Sequence, residues 1–282
     1  MRPRLQLSAP EALRTCLEFL RVDPPGADLA VVRRPPSASS KAGSLVFIHG
    51  LGDASSAFAG ALESQALAPF EIVLIDLLGH GTSDKPNNFD YRPASHAAVL
   101  FQALRALTLP APVHLVGYSL GGAIALELSR FPVQGLGALV LIEPALAESK
   151  MDFSKRITKL SEGEFRDGYA DFIGPYGRPD ASLADRRWAE TAAFASSTAF
   201  YRSAKGLLEA SRRGELLAHL RETKAPRALV LSKDTYDAWP EAAEAEEQGA
   251  RVILVDSPSS AQMYDAPDAL YKAIALAVNF GA

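Results

Sequence analysis

A serine flanked by glycines follows a short apolar run in this sequence. Residues 113–122 read VHLVGYSLGG, which places Ser119 between Gly117 and Gly121 in a G-x-S-x-G pattern. In a turn from a strand to a helix this pattern exposes a serine hydroxyl, and the glycines let neighbouring backbone pass without Cβ clashes. A serine hydroxyl is a weak nucleophile near neutral pH, so it needs a base to take its proton. The pattern predicts acyl-transfer chemistry at Ser119, provided that the chain supplies this base.

The elements around this serine are indicated by alternating strand-like and helical patterns. Short apolar runs predict strands, and apolar residues at helical spacing predict helices between them. Such alternation is typical of a parallel sheet with helices on both faces. The predicted strands are 45–48, 71–76, 113–116, 138–142, 227–231 and 251–255, and the predicted helices are 55–68, 95–107, 120–130, 238–248 and 265–278.

The alternation is interrupted at residues 144–223, which have helical character and no strand-like run. We call this segment the insert and interpret it as a helical cap within one α/β domain that spans residues 1–282. Its aromatic side chains either build a small core for the insert or line a ligand pocket. These residues are Phe153, Phe165, Tyr169, Phe172, Tyr176, Trp188, Phe194, Phe200 and Tyr201.

Composition and charge exclude several classes of protein. The chain has 282 residues with a formal net charge of -4 and no cluster of Lys and Arg, so nucleic-acid binding has no electrostatic support. The single cysteine, Cys16, excludes an internal disulfide framework and is expected to pack as a small hydrophobe. With no run of 18 apolar residues and no convincing signal peptide, we expect a cytoplasmic protein without a membrane partner, as a monomer or homodimer.

Four motifs in this sequence resemble those of the α/β-hydrolase family, in the family's order, from about residue 28 onward. The resemblance implies an α/β-hydrolase fold, in which a mostly parallel sheet is flanked by helices and a helical cap stands where the insert is. It also implies hydrolysis of an ester, thioester or similar acyl bond in a small, partly apolar substrate. The motifs are HGLGD at 49–53, DLLGHGTSD at 76–84, GYSLG at 117–121 and DAP at 265–267.

The resemblance also implies roles for individual residues. Ser119 would be the nucleophile, and the backbone N–H groups of Leu51 and Leu120 would form an oxyanion hole at a helix N-terminus. No metal or organic cofactor is expected, because the histidines are not at ligand spacing and no phosphate-binding glycine loop occurs. The residues expected to contact substrate are His49, Gly50 and Tyr118.

The base of the family is absent from its expected position. The family places a histidine in the loop after the last strand, a few residues before the acidic-x-Pro segment. Counting back from Asp265 without gaps puts Ser260 there, or Ser259 after a shift of one residue, and no histidine follows His219. A serine hydroxyl has no basicity near neutral pH, so neither serine can take the proton of Ser119. We still expect Ser260 within side-chain reach of Ser119, because the last loop must pass over the nucleophile.

The acid of the family is also irregular. A gapless count after the seventh strand puts Thr235 at the acid position, within the segment SKDTYD at 232–237. Asp234 and Asp237 flank this threonine and are predicted as acids, and Glu143, which follows the strand ALVLI, is a third candidate. Among the histidines, we expect only His219 to be free to swing inward as a substitute base.

Three explanations of the incomplete triad remain open. The protein has given up hydrolysis and kept its pocket for binding or other chemistry, or the histidine has been replaced in this chain, or the site uses an unusual base. The intact glycine-serine motif favours a serine hydrolase. Ser260 and the irregular acid favour the alternative, a non-catalytic ligand-binding protein on the same scaffold. Either protein would take a small acyl compound as its substrate or ligand.

Overall fold

Eight strands form one sheet in the computed structural model of the protein, which describes residues 17–36 and 42–279. Their order is β1-β2-β4-β3-β5-β6-β7-β8; β1 and β2 run antiparallel to their neighbours, and β3 to β8 are parallel. This confirms the mostly parallel sheet that the alternation predicts. The strands are β1 Leu17–Val22, β2 Ala27–Arg34, β3 Ser44–Ile48, β4 Glu71–Ile75, β5 Val113–Tyr118, β6 Leu136–Ile142, β7 Arg227–Ser232 and β8 Arg251–Val255.

After their first residues, Ser44 and Glu71, the central strands β3 and β4 are apolar because both of their faces are covered. Every residue of β3 and β4 is buried. Side chains alternate between the faces of a strand, so Val46 and Ile48 join one core cluster while Leu45 and Phe47 join the other. The antiparallel strands β1 and β2 were not predicted, and Cys16 lies outside the described residues, directly before β1.

Twelve α-helices connect and cover these strands in the described part of the chain. No helix there is long and apolar enough to cross a membrane. The helices are α1 Pro93–Ala106, α2 Leu120–Leu128, α3 Asp152–Ile157, α4 Glu162–Asp167, α5 Tyr169–Ile173, α6 Leu183–Ala192, α7 Ser197–Arg212, α8 Glu215–Glu222, α9 Lys233–Asp237, α10 Pro240–Glu247, α11 Gln262–Asp265 and α12 Pro267–Val278.

The helix predicted at residues 55–68 takes a different form in the structure. Two 3₁₀ segments, Ser55–Leu62 and Gln65–Leu67, occupy this stretch, with a kink at Phe58. Phe58 is fully buried, and its ring lies 5.0 Å from that of Phe47. Burial of this ring against the sheet therefore prevails over the weak helical tendency of a segment that also contains a glycine.

Helices α3 to α8 occupy the insert, between the end of β6 and the start of β7. Their apolar residues form a separate cluster around Phe165 and Phe200. The indole Nε1 of Trp188 donates a hydrogen bond to the carbonyl of Leu51 at 2.9 Å, which ties the insert to the loop after β3. Gly52 makes this approach possible, since a Cβ there would lie 2.7 Å from the Phe200 ring and 2.8 Å from Trp188 Nε1.

Three histidines are buried together beneath the loops that follow β3 and β4. His49, His80 and His96 are all 0% exposed, and the rings of His49 and His80 lie 5.2 Å apart. Neither ring nitrogen of His96 has a hydrogen-bond partner within the described residues. Burial, with a smaller contribution from His49, lowers the pKa of His96 to about 3. The folded protein therefore keeps His96 neutral at a pH where the unfolded chain protonates it.

This cluster predicts a loss of stability in acid that one substitution should reduce. The unfolded state binds a proton at His96 near pH 6.5 and the folded state does not, so this stability is present above pH 6.5 and falls with decreasing pH. Between about pH 6 and 4, the free energy of unfolding should fall by up to ~1.4 kcal/mol per pH unit more in the wild type than in His96→Phe. Urea denaturation at several pH values measures both slopes. Parallel curves would contradict the assignment.

Candidate active site

Ser119 occupies a strained turn between β5 and α2. Its backbone angles are φ 50° and ψ -111°, a conformation that non-glycine residues adopt at a cost of about 1–3 kcal/mol. The neighbouring strand holds it there, because the Ser119 N–H donates to the carbonyl of Ile142 at 3.0 Å. The Ser119 carbonyl accepts from the N–H groups of Gly122 at 3.0 Å and Ala145 at 3.3 Å. These bonds therefore fix the backbone position from which the Ser119 side chain projects.

The first turn of α2 lies directly against β3. A Cβ at Gly121 would stand 2.1 Å from the carbonyl oxygen of Ile48, so only glycine allows this contact. The N–H of Leu120, at the start of α2, and the N–H of Leu51, after β3, donate no hydrogen bond to any group in the described chain. Both groups are therefore available to an anion, and the helix dipole adds partial positive charge at Leu120.

A cavity of about 290 Å³ lies over Ser119. It is bounded on one side by residues after the strands and on the other by residues of the insert. The aromatic residues of the insert divide between two environments, since Phe165 and Phe200 are buried in its core while Phe153, Tyr176 and Trp188 line this cavity. The lining residues are Leu51, Asp53, Tyr118, Ser119, Ala145, Lys150, Met151, Phe153, Ser154, Tyr176, Asp185, Trp188, Leu207 and Ser260.

Ser260 lines the same cavity as Ser119, so the structure brings the two serines together. The hydroxyl of Ser260 interacts with that of Tyr118 and holds the pKa of this tyrosine below the value that burial alone would give. Ser259 is engaged elsewhere, since its hydroxyl donates to Asp265 and accepts from the N–H of Ala261. Ser260, which the gapless count selects, therefore fits the position of the missing base better than Ser259 does. The hydroxyl of Ser119 makes no hydrogen bond with any group in the described residues.

Two of the three residues predicted to contact substrate do not line the cavity. Both nitrogens of the His49 ring are used by the backbone, because Nε2 accepts from the N–H of Leu77 at 3.0 Å. Nδ1 must then carry the proton and donates it to the carbonyl of Gly50 at 2.8 Å. His49 therefore fixes the path of the loop that carries Leu51, and Gly50 is buried beneath the ring of Tyr118. Only Tyr118 faces the cavity as expected.

The prediction that Asp234 or Asp237 supplies the acid does not fit the structure. Both are exposed on α9, where Asp237 pairs with Lys233 at 2.6 Å, and neither lines the cavity. The third candidate, Glu143, lies at the end of β6 with a positive φ of 44°. Loop geometry, which a gapless count ignores, decides which of these carboxylates turns inward.

The carboxylate of Glu143 holds three elements together. It accepts hydrogen bonds from the N–H of Ser232 and, at 2.9 Å, from the amide of Gln262, and Thr235 also bonds to it. Burial raises the pKa of Glu143, and these hydrogen bonds act against that shift. Its charge also contributes to raising the pKa of Tyr118, which adjoins Ser260. Of the three carboxylates predicted as the acid, Glu143 is therefore the one that is turned inward, toward Tyr118 and Ser260.

His219 is not placed to act as a substitute base. Its Nδ1 lies 3.2 Å from Glu127 Oε1, and it lines a different cavity, with Ser129 and Arg130. Glu127 is seven residues along α2 from Leu120, which corresponds to about 10 Å along the helix axis from the end that carries Ser119. His219, the one histidine that the sequence left free to swing inward, instead packs at the opposite end of this helix.

Asp53 is a cavity residue to which the sequence analysis assigned no role. It is 2% exposed, and its carboxylate accepts a hydrogen bond from the hydroxyl of Tyr264 at 3.2 Å. Burial raises the pKa of Asp53 to about 7, and the bond from Tyr264 acts against that shift. The sequence feature that could have indicated Asp53 is its position, two residues after Leu51 in the motif HGLGD. Among the described residues, no group of three or more His, Cys, Asp or Glu side chains is arranged to hold a metal ion.

The sequence matches the alpha/beta hydrolase family over residues 45–273, which include the cavity, Ser119 and both N–H donors. The chain belongs to this family. An uncharacterized protein of Mycobacterium tuberculosis is 33% identical over 146 residues, 50% of this chain and 42% of that protein. Lipase 1 of Psychrobacter immobilis is 32% identical over 101 residues, 36% of this chain and 31% of the lipase. The matches thus span less than half the length of these two relatives.

Solved structures of the family share the fold. An esterase from Exiguobacterium antarcticum superposes with a TM-score of 0.71 at 18% sequence identity, covering 93% of this chain and 98% of the esterase. At this level of identity the likeness shows the fold alone, and the chemistry of the site must be argued from the residues around Ser119.

Removal of the Glu143 carboxylate should destabilise the fold far more than removal of either surface aspartate. Glu143→Ala leaves the Ser232 N–H and the Gln262 amide without their acceptor, which should cost at least about 2 kcal/mol of unfolding free energy. Asp234→Ala and Asp237→Ala should each cost under about 1 kcal/mol, because exposed ion pairs contribute little. Urea denaturation of the three variants at pH 7 measures these costs. Equal losses in all three would mean that Glu143 does not hold the loops together.

Proposed function

We propose that the protein is a serine hydrolase that cleaves an ester or thioester bond of a small, partly apolar substrate through Ser119. One observation carries this proposal: Ser119, in its strained turn, shares a cavity with Leu51, and α2 begins with the unpaired N–H of Leu120 beside it. The relative named a lipase supports ester chemistry. The aromatic and aliphatic side chains of the cavity suit an apolar acyl group.

The proposed reaction begins with attack of Ser119 Oγ on the acyl carbonyl carbon. The N–H groups of Leu51 and Leu120 would stabilise the negative charge that develops on the carbonyl oxygen, and loss of one such donor typically costs about 10²- to 10³-fold in kcat. The insert would act as a cap that shields this charge from water. The bond to the alcohol or thiol of the substrate then breaks, and this leaving group departs with the proton that Ser119 gave up. Water next hydrolyses the acyl-enzyme, which releases the carboxylic acid and restores the Ser119 hydroxyl.

The step that this site supports least is transfer of the proton from the Ser119 hydroxyl. Within the described residues no imidazole lines the cavity that holds Ser119, and Ser260 cannot replace one. We therefore expect turnover well below that of a complete triad, although an oxyanion hole and binding alone leave about 10³-fold acceleration over water. The same observation favours the second candidate function, a ligand-binding protein that uses the cavity without chemistry.

Covalent labelling separates the two candidates. A fluorophosphonate should label Ser119 in the wild type, because the oxyanion donors stabilise the negative charge that develops on the phosphoryl oxygen as Ser119 Oγ attacks phosphorus and fluoride leaves. Ser119→Ala should not be labelled. Intact-protein mass spectrometry and peptide mapping identify the modified residue. A wild-type protein that folds yet stays unlabelled, and hydrolyses none of a panel of p-nitrophenyl esters, would favour the binding protein.

Restoring the histidine should increase turnover. In Ser260→His the imidazole would stand beside Tyr118 in the cavity, with the carboxylate of Glu143 nearby, so that it can take the proton of Ser119. We expect kcat/KM for p-nitrophenyl esters to rise at least about tenfold, since general-base assistance contributes about 10² to 10⁴. Ser259→His is the matched control, because the Ser259 side chain is turned toward Asp265. Equal gains in both variants would contradict the assigned position.

A further inference from the structure

A carboxyl group flanks the loop that carries Leu51 and shares the cavity with Ser119. Asp53 is 2% exposed, and its own N–H donates to the carbonyl of Gly50 at 3.2 Å, which closes a tight turn. A Cβ on Gly50 would lie 2.9 Å from Asp53 Oδ2 and 2.8 Å from Tyr118 Cδ1. The carboxylate and the ring that precedes Ser119 in the chain therefore converge on the same side of Gly50.

In the part of the chain that the structure describes, no cation pairs with the carboxylate of Asp53. Its hydrogen-bond partner is the neutral hydroxyl of Tyr264, and no cation is among the groups that shift its pKa. Burial raises this pKa to about 7, so the carboxyl gains and loses a proton near neutral pH. A purely structural buried carboxylate is normally paired or fully hydrogen-bonded.

Other titratable groups lie around Asp53 and its two neighbouring tyrosines, Tyr118 and Tyr264. Tyr118 on β5 and Tyr264 on α11 both have raised pKa values, chiefly through burial, so both hydroxyls stay neutral. The charges of Glu143 and Asp265 act on Tyr118, and that of Arg187 acts on Tyr264. Lys150 and Asp185 line the same cavity. The Lys150 ammonium is held 3.4 Å from the carbonyl of Thr235, and Asp185 caps α6 with Ser182.

We propose that Asp53 is the general base and acid of the Ser119 site, in place of the absent histidine. This inference rests on the proposed hydrolase function. It identifies the unusual base that the incomplete triad requires, and it uses a buried carboxyl group that the fold otherwise leaves without a partner of opposite charge.

The proton transfers balance over one turnover. The Asp53 carboxylate takes the proton of Ser119 Oγ as the Oγ–carbon bond forms and the carbonyl oxygen becomes an oxyanion. Asp53 is then neutral while the oxyanion is present beside it, so the two do not repel. Collapse breaks the bond to the leaving group, which takes the proton from Asp53. In deacylation, Asp53 takes a proton from water as its oxygen attacks the acyl carbon. The bond between that carbon and Ser119 Oγ then breaks, and Ser119 Oγ recovers the proton from Asp53.

The test combines Asp53→Asn with Ser260→His. Asp53→Asn should lower kcat/KM for p-nitrophenyl esters about 100-fold or more in the wild-type background, and less than about tenfold beside an imidazole at position 260. Asp268→Asn, on the exposed first turn of α12, is the matched control and should change neither background. Equal losses in the two backgrounds would show that Asp53 only supports the loop, and no loss in either would also overturn the proposal.

A second measurement avoids any dependence on the folding of Asp53→Asn. In the wild type, kcat/KM should rise with pH through about 7, because only the ionised carboxylate accepts a proton. Tyr264→Phe should move this inflection to higher pH, since the lost hydrogen bond favours the ionised form. A profile that is flat between pH 5.5 and 8.5 would overturn the proposal.

Failure of the base is distinguishable from failure of the hydrolase itself. If fluorophosphonate labels Ser119 and esters are hydrolysed, but Asp53→Asn changes neither rate, Asp53 is not the base and the hydrolase stands. If Ser119 is unlabelled and no variant turns over any ester, the hydrolase proposal falls and the assignment of Asp53 falls with it.

Discussion

The strained backbone of Ser119 is the feature on which the rest of this structure depends. A non-glycine residue at φ 50° is stable only when its surroundings fix it, and here the N–H bond to Ile142 and the two bonds to its carbonyl do so. These bonds require β5 and β6 to be adjacent and parallel. The first turn of α2 also lies close against β3, which only a glycine at position 121 permits. The parallel sheet is therefore what holds the backbone of Ser119 in place.

The sequence was sufficient to predict this framework but not the polar groups around it. Strands buried on both faces have continuous apolar runs, and the serine motif marks the turn between a strand and a helix, so both are visible locally. Whether Glu143 or one of Asp234 and Asp237 turns inward depends on how two loops meet in space. The same holds for His49, whose two backbone hydrogen bonds join loops that follow different strands.

The 3₁₀ segments and the pKa of Asp53 are two further features that the sequence pattern does not predict. Residues 55–68 have a helical pattern, yet burial of Phe58 against Phe47 decides their form. Asp53 stands in the motif HGLGD, yet its raised pKa comes from burial, which no spacing of residues reveals. Patterns along the chain report which faces are covered; the ionisation of a side chain is set by groups distant in sequence.

The bond from Trp188 to Leu51 gives the insert a role beyond covering the cavity. Leu51 accepts the indole proton with its carbonyl while its N–H remains unpaired on the neighbouring peptide unit. Movement of α6 away from this loop would break the bond, so the position of the insert and the position of the loop are tied to each other. If Leu51 donates to an oxyanion as proposed, the same bond ties the position of that donor to the insert. Trp188 is thus the contact that couples the insert to the loop beside Ser119.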